Sequence, residues 1–294
     1  MLNHLNFKEN RTKLQGNIAY FQNIASFLYG NLCPASFKNR KNAHLALLSD
    51  VDVLALMLFQ YSLGITSERK FFNVVKSLVP TELGDKLLHR TRFNRRCRQL
   101  LPVISLFRRK LIEIVGPGSD LGIIDSFPMP ICHNARKNRA VIFKEIADVG
   151  YNATKKEYFY GFKAHVNTTD RGLILNYVIT EASVHDSKLA IQLIDESPCK
   201  INLADLGYLG KKIVQAANES GKVFWTPYRS NMKGAKEHNS YKLQTVRRRI
   251  ETSFSVLESS YNIQQNRARS LTGFQTRFEI SILSYNLGFF DLEI

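Results

Sequence analysis

Cysteine is scarce in this 294-residue chain, and what there is lies scattered. Cys33, Cys97, Cys132 and Cys199 include no Cys-x-x-Cys pair, which excludes a zinc ribbon and leaves no disulfide framework. A reducing cytoplasm suits such a chain. The histidines show no paired metal-ligand spacing. Long apolar runs are also missing: the longest, Val53 to Phe59, is far short of a membrane span. The opening Met-Leu-Asn-His-Leu-Asn-Phe-Lys-Glu has no apolar core followed by a small-residue cleavage site, so the protein is expected to be soluble, neither exported nor anchored. Internal repeats and low-complexity segments are absent. Acid is in deficit, with 25 Asp and Glu against 41 Lys and Arg. The resulting formal charge of +16 makes nucleic acid the leading partner class, ahead of a merely soluble basic protein.

What is present is ample for a core: 44% of residues are hydrophobic and 11% aromatic, so wholesale disorder is excluded. The first composition break is Val115-Gly116-Pro117-Gly118-Ser119, where turn formers separate a helix-patterned stretch from a strand-patterned one. A domain boundary is placed there, giving a helical, basic region over 1–118 and a second domain over 119–294. The first region holds 18 basic and 7 acidic residues, the second 23 and 18, so most of the excess charge is N-terminal.

Within the first region, Leu48 to Phe59 reads as a core helix capped by Ser49 or Asp50. His89 to Leu100 reads as a helix with an apolar stripe of Phe93, Cys97 and Leu100 and five arginines elsewhere, with no acid among them. Arg90, Arg92, Arg95 and Arg96 are therefore candidate phosphate contacts, weighed against a solvated helix surface.

Beyond the boundary the period changes. Strands are predicted at Leu121–Asp125, Tyr160–Thr168, Leu173–Thr180, Ile201–Asp205 and Val223–Thr226. Helices are predicted from Asp186 to Ile194, Gly210 to Ser220, Thr245 to Ser260 and Leu271 to Leu287. Three strands followed by alternating helix and strand give an α/β domain, a mixed sheet flanked by helices. The segment between the first two strands reads as a polar loop carrying Arg136, Lys137, Arg139, Lys144, Lys155 and Lys156, of which the first three are taken as DNA contacts against an idle charged loop.

Two aspartates stand at strand ends before turns: Asp125 closes Leu-Gly-Ile-Ile-Asp and Asp205 closes Ile-Asn-Leu-Ala-Asp. A carboxylate there is expensive to desolvate unless it meets metal, charge or donors. Two-metal cleavage of a phosphodiester needs such acids converging from separate segments. Glu251, in Arg247-Arg248-Arg249-Ile250-Glu251, would share a helical face with Arg247 and Arg248, joining one carboxylate to two phosphate-binding guanidiniums; a surface ion-pair cluster is the bland alternative. Asp186 competes with Asp205 for the second acid, but its place before Ser187-Lys188-Leu189 suits a helix N-cap, whereas none is evident for Asp205. Lys163 and His165 share one strand face and are read as approaching DNA; His185 reads as a loop residue.

Taken in order, Leu-Gly-Ile-Ile-Asp125-Ser126-Phe-Pro-Met-Pro, Tyr160-Gly-Phe-Lys163-Ala-His165, Ala182-Ser-Val-His185-Asp186, Ala204-Asp205-Leu-Gly-Tyr208 and Arg247-Arg-Arg-Ile-Glu251-Thr252 resemble the DDE transposases of bacterial insertion sequences, closest to the insertion sequence 982 family. Arg92-Phe93-Asn94-Arg95-Arg96 extends the resemblance, which covers roughly residues 45–290. It implies an RNase H-like catalytic core with the triad Asp125, Asp205 and Glu251 binding Mg2+, or Mn2+ in its place. The activity expected is cleavage and strand transfer at the terminal inverted repeats of a mobile element, on double-stranded DNA that includes a target; joining two ends calls for a homodimer on DNA, and the expected place is the bacterial cytoplasm, at the nucleoid. The alternatives are a nuclease that does not join strands and a non-catalytic regulator descended from a transposase. One departure stands out. Where many relatives carry tyrosine, arginine and lysine around the glutamate, this chain has Gln244, Arg247 and Glu258, and Arg267 and Arg269 are candidates for the lost lysine's phosphate contact.

Overall fold

A computed structural model describes residues 3–4 and 18–291, apart from 80, 88 and 154. Most of the opening nonapeptide lies outside the described residues. In chain order the main helices are α1 (Ile18–Leu32), α2 (Asp50–Ser62), α3 (Glu68–Leu78), α4 (Arg90–Gln99) and α5 (Leu101–Val115). Strands β1 (Leu121–His133), β2 (Asp148–Asn152), β3 (Glu157–Thr169) and β4 (Ile174–Glu181) follow, then α6 (Ala190–Asp195), β5 (Ile201–Ala204), α7 (Lys211–Glu219) and β6 (Val223–Trp225). The chain continues through α8 (Tyr241–Arg247), α9 (Arg249–Tyr261) and α10 (Leu271–Asn286). Among the described residues no helix is long and apolar enough to cross a membrane.

The chain divides into two compact units. The first joins residues 1–116 to 257–294; the second is 117–256. The N-terminal edge of the division falls where the turn formers stand: α5 ends at Val115, and Gly116 (φ +76°) and Gly118 (φ +65°) adopt left-handed backbone that a side chain disfavours. The C-terminal edge differs from the expected one. The last helix does not stay with the sheet, because α10 is buried on nearly every face, against α5 and α2, through Phe274, Phe278, Ile282 and Leu283 among others. Its one buried carboxylate, Glu279, meets Arg108 of α5 at 2.7 Å, an ion pair shielded from water on both sides.

In the first unit, Ser49 caps α2 by accepting the Asp52 N–H at 3.0 Å, and the apolar run behind it packs Phe59 against Phe21 and Phe71. Asp50 at the start of α2 is buried and gathers three partners: Tyr29 Oη at 2.7 Å, a bidentate Arg40, and Arg96 of α4 at 2.6 Å. Burial alone would raise this carboxyl; the Arg40 hydrogen bonds, then those of Tyr29 and Arg96, overrule it and hold it below its ordinary value.

In the second unit β3 is the central strand. Along one edge it pairs antiparallel with β1; along the other it pairs with β2 through Glu157–Gly161 and with β4 through Phe162–Thr168. β1 then pairs parallel with β5, and β5 parallel with β6. This is the expected α/β class, a mixed sheet with α6 and α7 packing Leu193, Ile194, Ile213 and Ala217 onto Ile124, Ala204 and Phe224. β1 runs eight residues beyond its predicted end, through Pro128 and Pro130. The parallel pairing with β5 stops at Ile124, so the prolines have a neighbour on one side only and lose no ladder bond on the other, with a register shift just after Pro130. The stretch read as a loop contains a strand, β2, which forms a hairpin with β3.

Candidate active site

The parallel register brings two acids together. Ile124 pairs with Ala204, so Asp125, inside β1, and Asp205, just past β5, lie side by side where the parallel pairing ends. Asp125 accepts the Ser126 N–H at 2.8 Å, and about a fifth of its side chain remains open to solvent. Burial, then repulsion from Asp205, pushes its carboxyl up to about 7. Asp205 is also raised, by burial first. Paired carboxylates that resist ionising together are short of positive charge.

The capping roles differ from those expected. Asp205 is itself the cap: its Oδ1 accepts the Gly207 N–H at 2.9 Å, opening a 3-10 turn over Leu206–Tyr208. Asp186 caps no helix among the described residues. His185 Nδ1 takes the Ser187 N–H instead, which turns Asp186 toward the sheet, and α6 begins only at Ala190. There Asp186 Oδ1 accepts Ser126 Oγ at 2.9 Å and Lys163 Nζ at 3.1 Å. A Cβ on Gly207 would lie 3.1 Å from Asp205 Oδ1 and 3.6 Å from Asp186 Oδ2, so glycine leaves open the space both carboxylates border.

Lys163 and His165 are therefore turned inward. Lys163 also donates to the Val184 carbonyl at 3.0 Å, which fixes its ammonium over Asp186 rather than toward solvent. The expectation that His165 approaches DNA is corrected: it is fully buried, at 2.9 Å from Thr180 Oγ1, because both faces of central β3 are covered. Burial drives its pKa down to about 4. The other ring nitrogen, Nδ1, lies 3.4 Å from Asp186 Oδ1.

Glu251 comes from the other side. The expected single helix is broken at Arg248, yet the backbone there stays helical, so Arg247 at the end of α8 still lies one turn before Glu251 in α9. The Arg247 guanidinium stands between two acids, 3.5 Å from Asp125 and 3.6 Å from Glu251. Glu251 is 60% exposed, and Arg248 is exposed beside it. Among the described residues no three His, Cys, Asp or Glu side chains stand close enough to hold one metal ion. The donors are all carboxylate oxygens, the set that suits hard divalent cations, and Arg247 compensates Asp125 only in part, since the Asp125 carboxyl stays raised.

Tyr208 escaped the sequence reading except as part of a motif. It is fully buried, and burial, then Asp186, Asp125 and Asp205, push its phenol well up, against a smaller opposing interaction with Ser126. It stays neutral beside the acids. The signal was its position three residues after Asp205, at the end of the turn that Asp205 caps.

The arginine cluster of α4 divides. Arg92 and Arg95 are exposed, Arg90 is 3.9 Å from Glu68, and Arg96 is 17% exposed and committed to Asp50. Arg96 is thus a structural cation, which its spacing within the cluster did not reveal. Arg136, Lys137 and Arg139 stand exposed on a 3-10 turn after β1.

Residues 116–287, more than half of the chain, match the family model of the transposase DDE domain, and the chain belongs to that family. It is accordingly a transposase of the DDE class, an enzyme whose substrate is DNA. No curated protein and no solved structure gives a significant match.

Proposed function

We propose that the protein is the transposase of a bacterial insertion sequence, of the insertion sequence 982 type, cutting and joining strands at the element's terminal inverted repeats. The observation that carries this reading is the pair Asp125 and Asp205 on neighbouring parallel strands, with Asp125 driven up to about 7 by burial and by its neighbour. Within the six-stranded sheet, the antiparallel strands β4, β3 and β1 continued by the parallel strands β5 and β6 are the arrangement we read as RNase H-like, with the acids where the pairing of β1 with β5 ends. In this reading Asp125, Asp205 and Glu251 hold Mg2+ or Mn2+. Such ions would supply activation of water as a nucleophile and stabilisation of the oxygens of an in-line displacement.

The chain's own residues supply the rest. Asp186, anchored by Lys163 and Ser126, forms the wall behind the two aspartates rather than serving as the second acid. Arg247, between Asp125 and Glu251, partly offsets their charge, and its guanidinium is placed to grip a phosphate beside them. Arg248 stands exposed for the neighbouring phosphate. Arg90, Arg92 and Arg95 in the first unit, with Arg136, Lys137 and Arg139 in the second, are the proposed duplex contacts, and two ends joined together call for a homodimer on DNA.

The test is a strand-transfer assay with pre-cut ends bearing the element's terminal repeats, in Mg2+ or Mn2+. Joined products from the wild type, absent in Asp125→Ala, Asp205→Ala and Glu251→Ala variants that still bind the ends, are expected. Cleavage without joining would make the protein a nuclease only. End binding without either reaction would make it a regulator.

A further inference from the structure

The hairpin of β2 and β3 carries an aromatic pair that the site chemistry leaves unused. Tyr151 and Tyr158 are direct cross-strand partners, with ring centroids 5.0 Å apart and planes inclined by 54°. Pairing of this kind explains why the rings touch each other. It does not explain why they stand 52% and 58% exposed. In the next pair on the same face Val149 is half-buried and Tyr160 is buried, with Tyr160 Oη donating to the Phe143 carbonyl at 3.0 Å, so the open aromatic surface begins where that cover ends.

Its surroundings are cationic. Lys155 and Lys156 occupy the turn joining the two strands, and Asn152 Oδ1 holds the backbone there by accepting the Lys155 N–H at 3.2 Å. β1 ends at His133, opposite Phe159, and leads directly into the 3-10 turn bearing Arg136 and Arg139, which packs against β3. All four cations are exposed and have no ion-pair partner among the described residues. Open aromatic faces beside a track of unpaired cations are the combination that stacks unpaired bases while gripping their backbone. Duplex DNA hides its base faces and would use the cations alone.

We infer that the tip of this hairpin is a binding site for single-stranded DNA, with Tyr151 and Tyr158 stacking on bases and the flanking lysines and arginines on phosphates. The inference rests on the transposase reading for its biological ligand, strand ends opened by cleavage, but its chemistry is tested by binding alone. The probes are a labelled oligo(dT) and a duplex of equal length, titrated onto full-length protein carrying Asp125→Asn so that nothing is cut.

Replacing both tyrosines with Ser is expected to weaken oligo(dT) binding about tenfold or more, with duplex binding changed less than about twofold. Replacing both with Phe should retain oligo(dT) binding, because the ring and not the hydroxyl stacks. Lys155→Gln with Lys156→Gln should weaken both probes and flatten the salt dependence of each. Should the Ser pair fail to fold by circular dichroism, photo-crosslinking of iodouracil-substituted oligonucleotide to the otherwise unaltered tyrosines decides the matter, with adducts expected at Tyr151 or Tyr158. Unchanged oligo(dT) binding by the Ser pair, equal loss in the Phe pair, or adducts at neither tyrosine would overturn the proposal. So would a Ser pair that loses only self-association in gel filtration, which would make the patch an interface between copies. Loss of strand transfer in the parent enzyme, with oligo(dT) binding intact, would refute the transposase reading and leave this site standing.

Discussion

Replacing Asp125 with Asn isolates the electrostatic strain at the centre of the site. The amide keeps the side chain's size and can still accept the Ser126 N–H, so the change removes charge and little else. Asp125 rises from the ordinary 3.8 to about 7 in the native state. For an acid shifted upward, the folded protein binds the proton more tightly than the unfolded one, so stability falls as pH rises between the two values. The contribution is fully present below about pH 4, declines through the window and is gone above about pH 7. At about 1.4 kcal/mol per unit the full span is roughly 4 kcal/mol; with a fifth of the side chain open to water, roughly 2–4 kcal/mol is the expected reading.

Urea unfolding in chelator at several pH values measures this strain. Asp125→Asn should be more stable than the wild type at pH 8, with the two curves converging near pH 4, while all cleavage is lost. Adding Mg2+ at pH 8 should stabilise the wild type and leave Asp125→Asn nearly unmoved, since an ion that neutralises the carboxylates removes the strain the amide lacks. Parallel pH curves for the two proteins, or an Asn variant less stable at pH 8, would refute the argument that burial and Asp205 hold Asp125 in conflict.

Arg247→Ala should keep metal-induced stabilisation but lose strand cutting, with partial recovery in Arg247→Lys, because charge survives while bidentate geometry does not; Glu251→Gln should show no metal-dependent activity. Equal rates for wild type and Arg247→Ala in an assay limited by chemistry would reduce the arginine to a counter-ion. Asp205→Ala should abolish cleavage, whereas Asp186→Asn should lower turnover and leave the metal concentration for half-activity within about threefold; the reverse pattern would exchange the two acids' roles. On duplex DNA, Arg92→Gln with Arg95→Gln should flatten the log–log salt dependence by nearly two units, from about 0.9 per phosphate contact. Arg96→Ala should instead leave the slope unchanged and destabilise the first unit by about 1–3 kcal/mol, from loss of a hydrogen bond to the buried Asp50 carboxylate; a slope change without loss of stability would return Arg96 to the DNA-facing set.

Local chemistry, readable along the chain, was enough to locate the turn at Gly116 to Gly118, the cap at Ser49, the core run of α2 and the strand end before Asp205, because caps, left-handed glycines and buried strands depend on neighbours within a few residues; Asp125, read as a strand end, lies inside β1, which continues to His133. Pairing decided the rest. That Asp125 and Asp205 stand together follows from the parallel register of β1 and β5, a long-range choice driven by burial of Ile124, Leu203 and Ala204. The capping roles of Asp186 and Asp205 were misassigned because a good capping residue in sequence is not a cap until its backbone turns that way, and a histidine one place earlier took the amide. Likewise Arg96 looks like its exposed neighbours until α4 packs beside α2 and brings it to Asp50. Lys163 and His165 alternate as surface residues do, but β3 is flanked on both edges and covered on both faces, so their polarity is spent inside. The pairing of Tyr151 with Tyr158 also exists only once β2 folds back onto β3, since nothing in either residue's immediate sequence marks it as an opposite partner of the other.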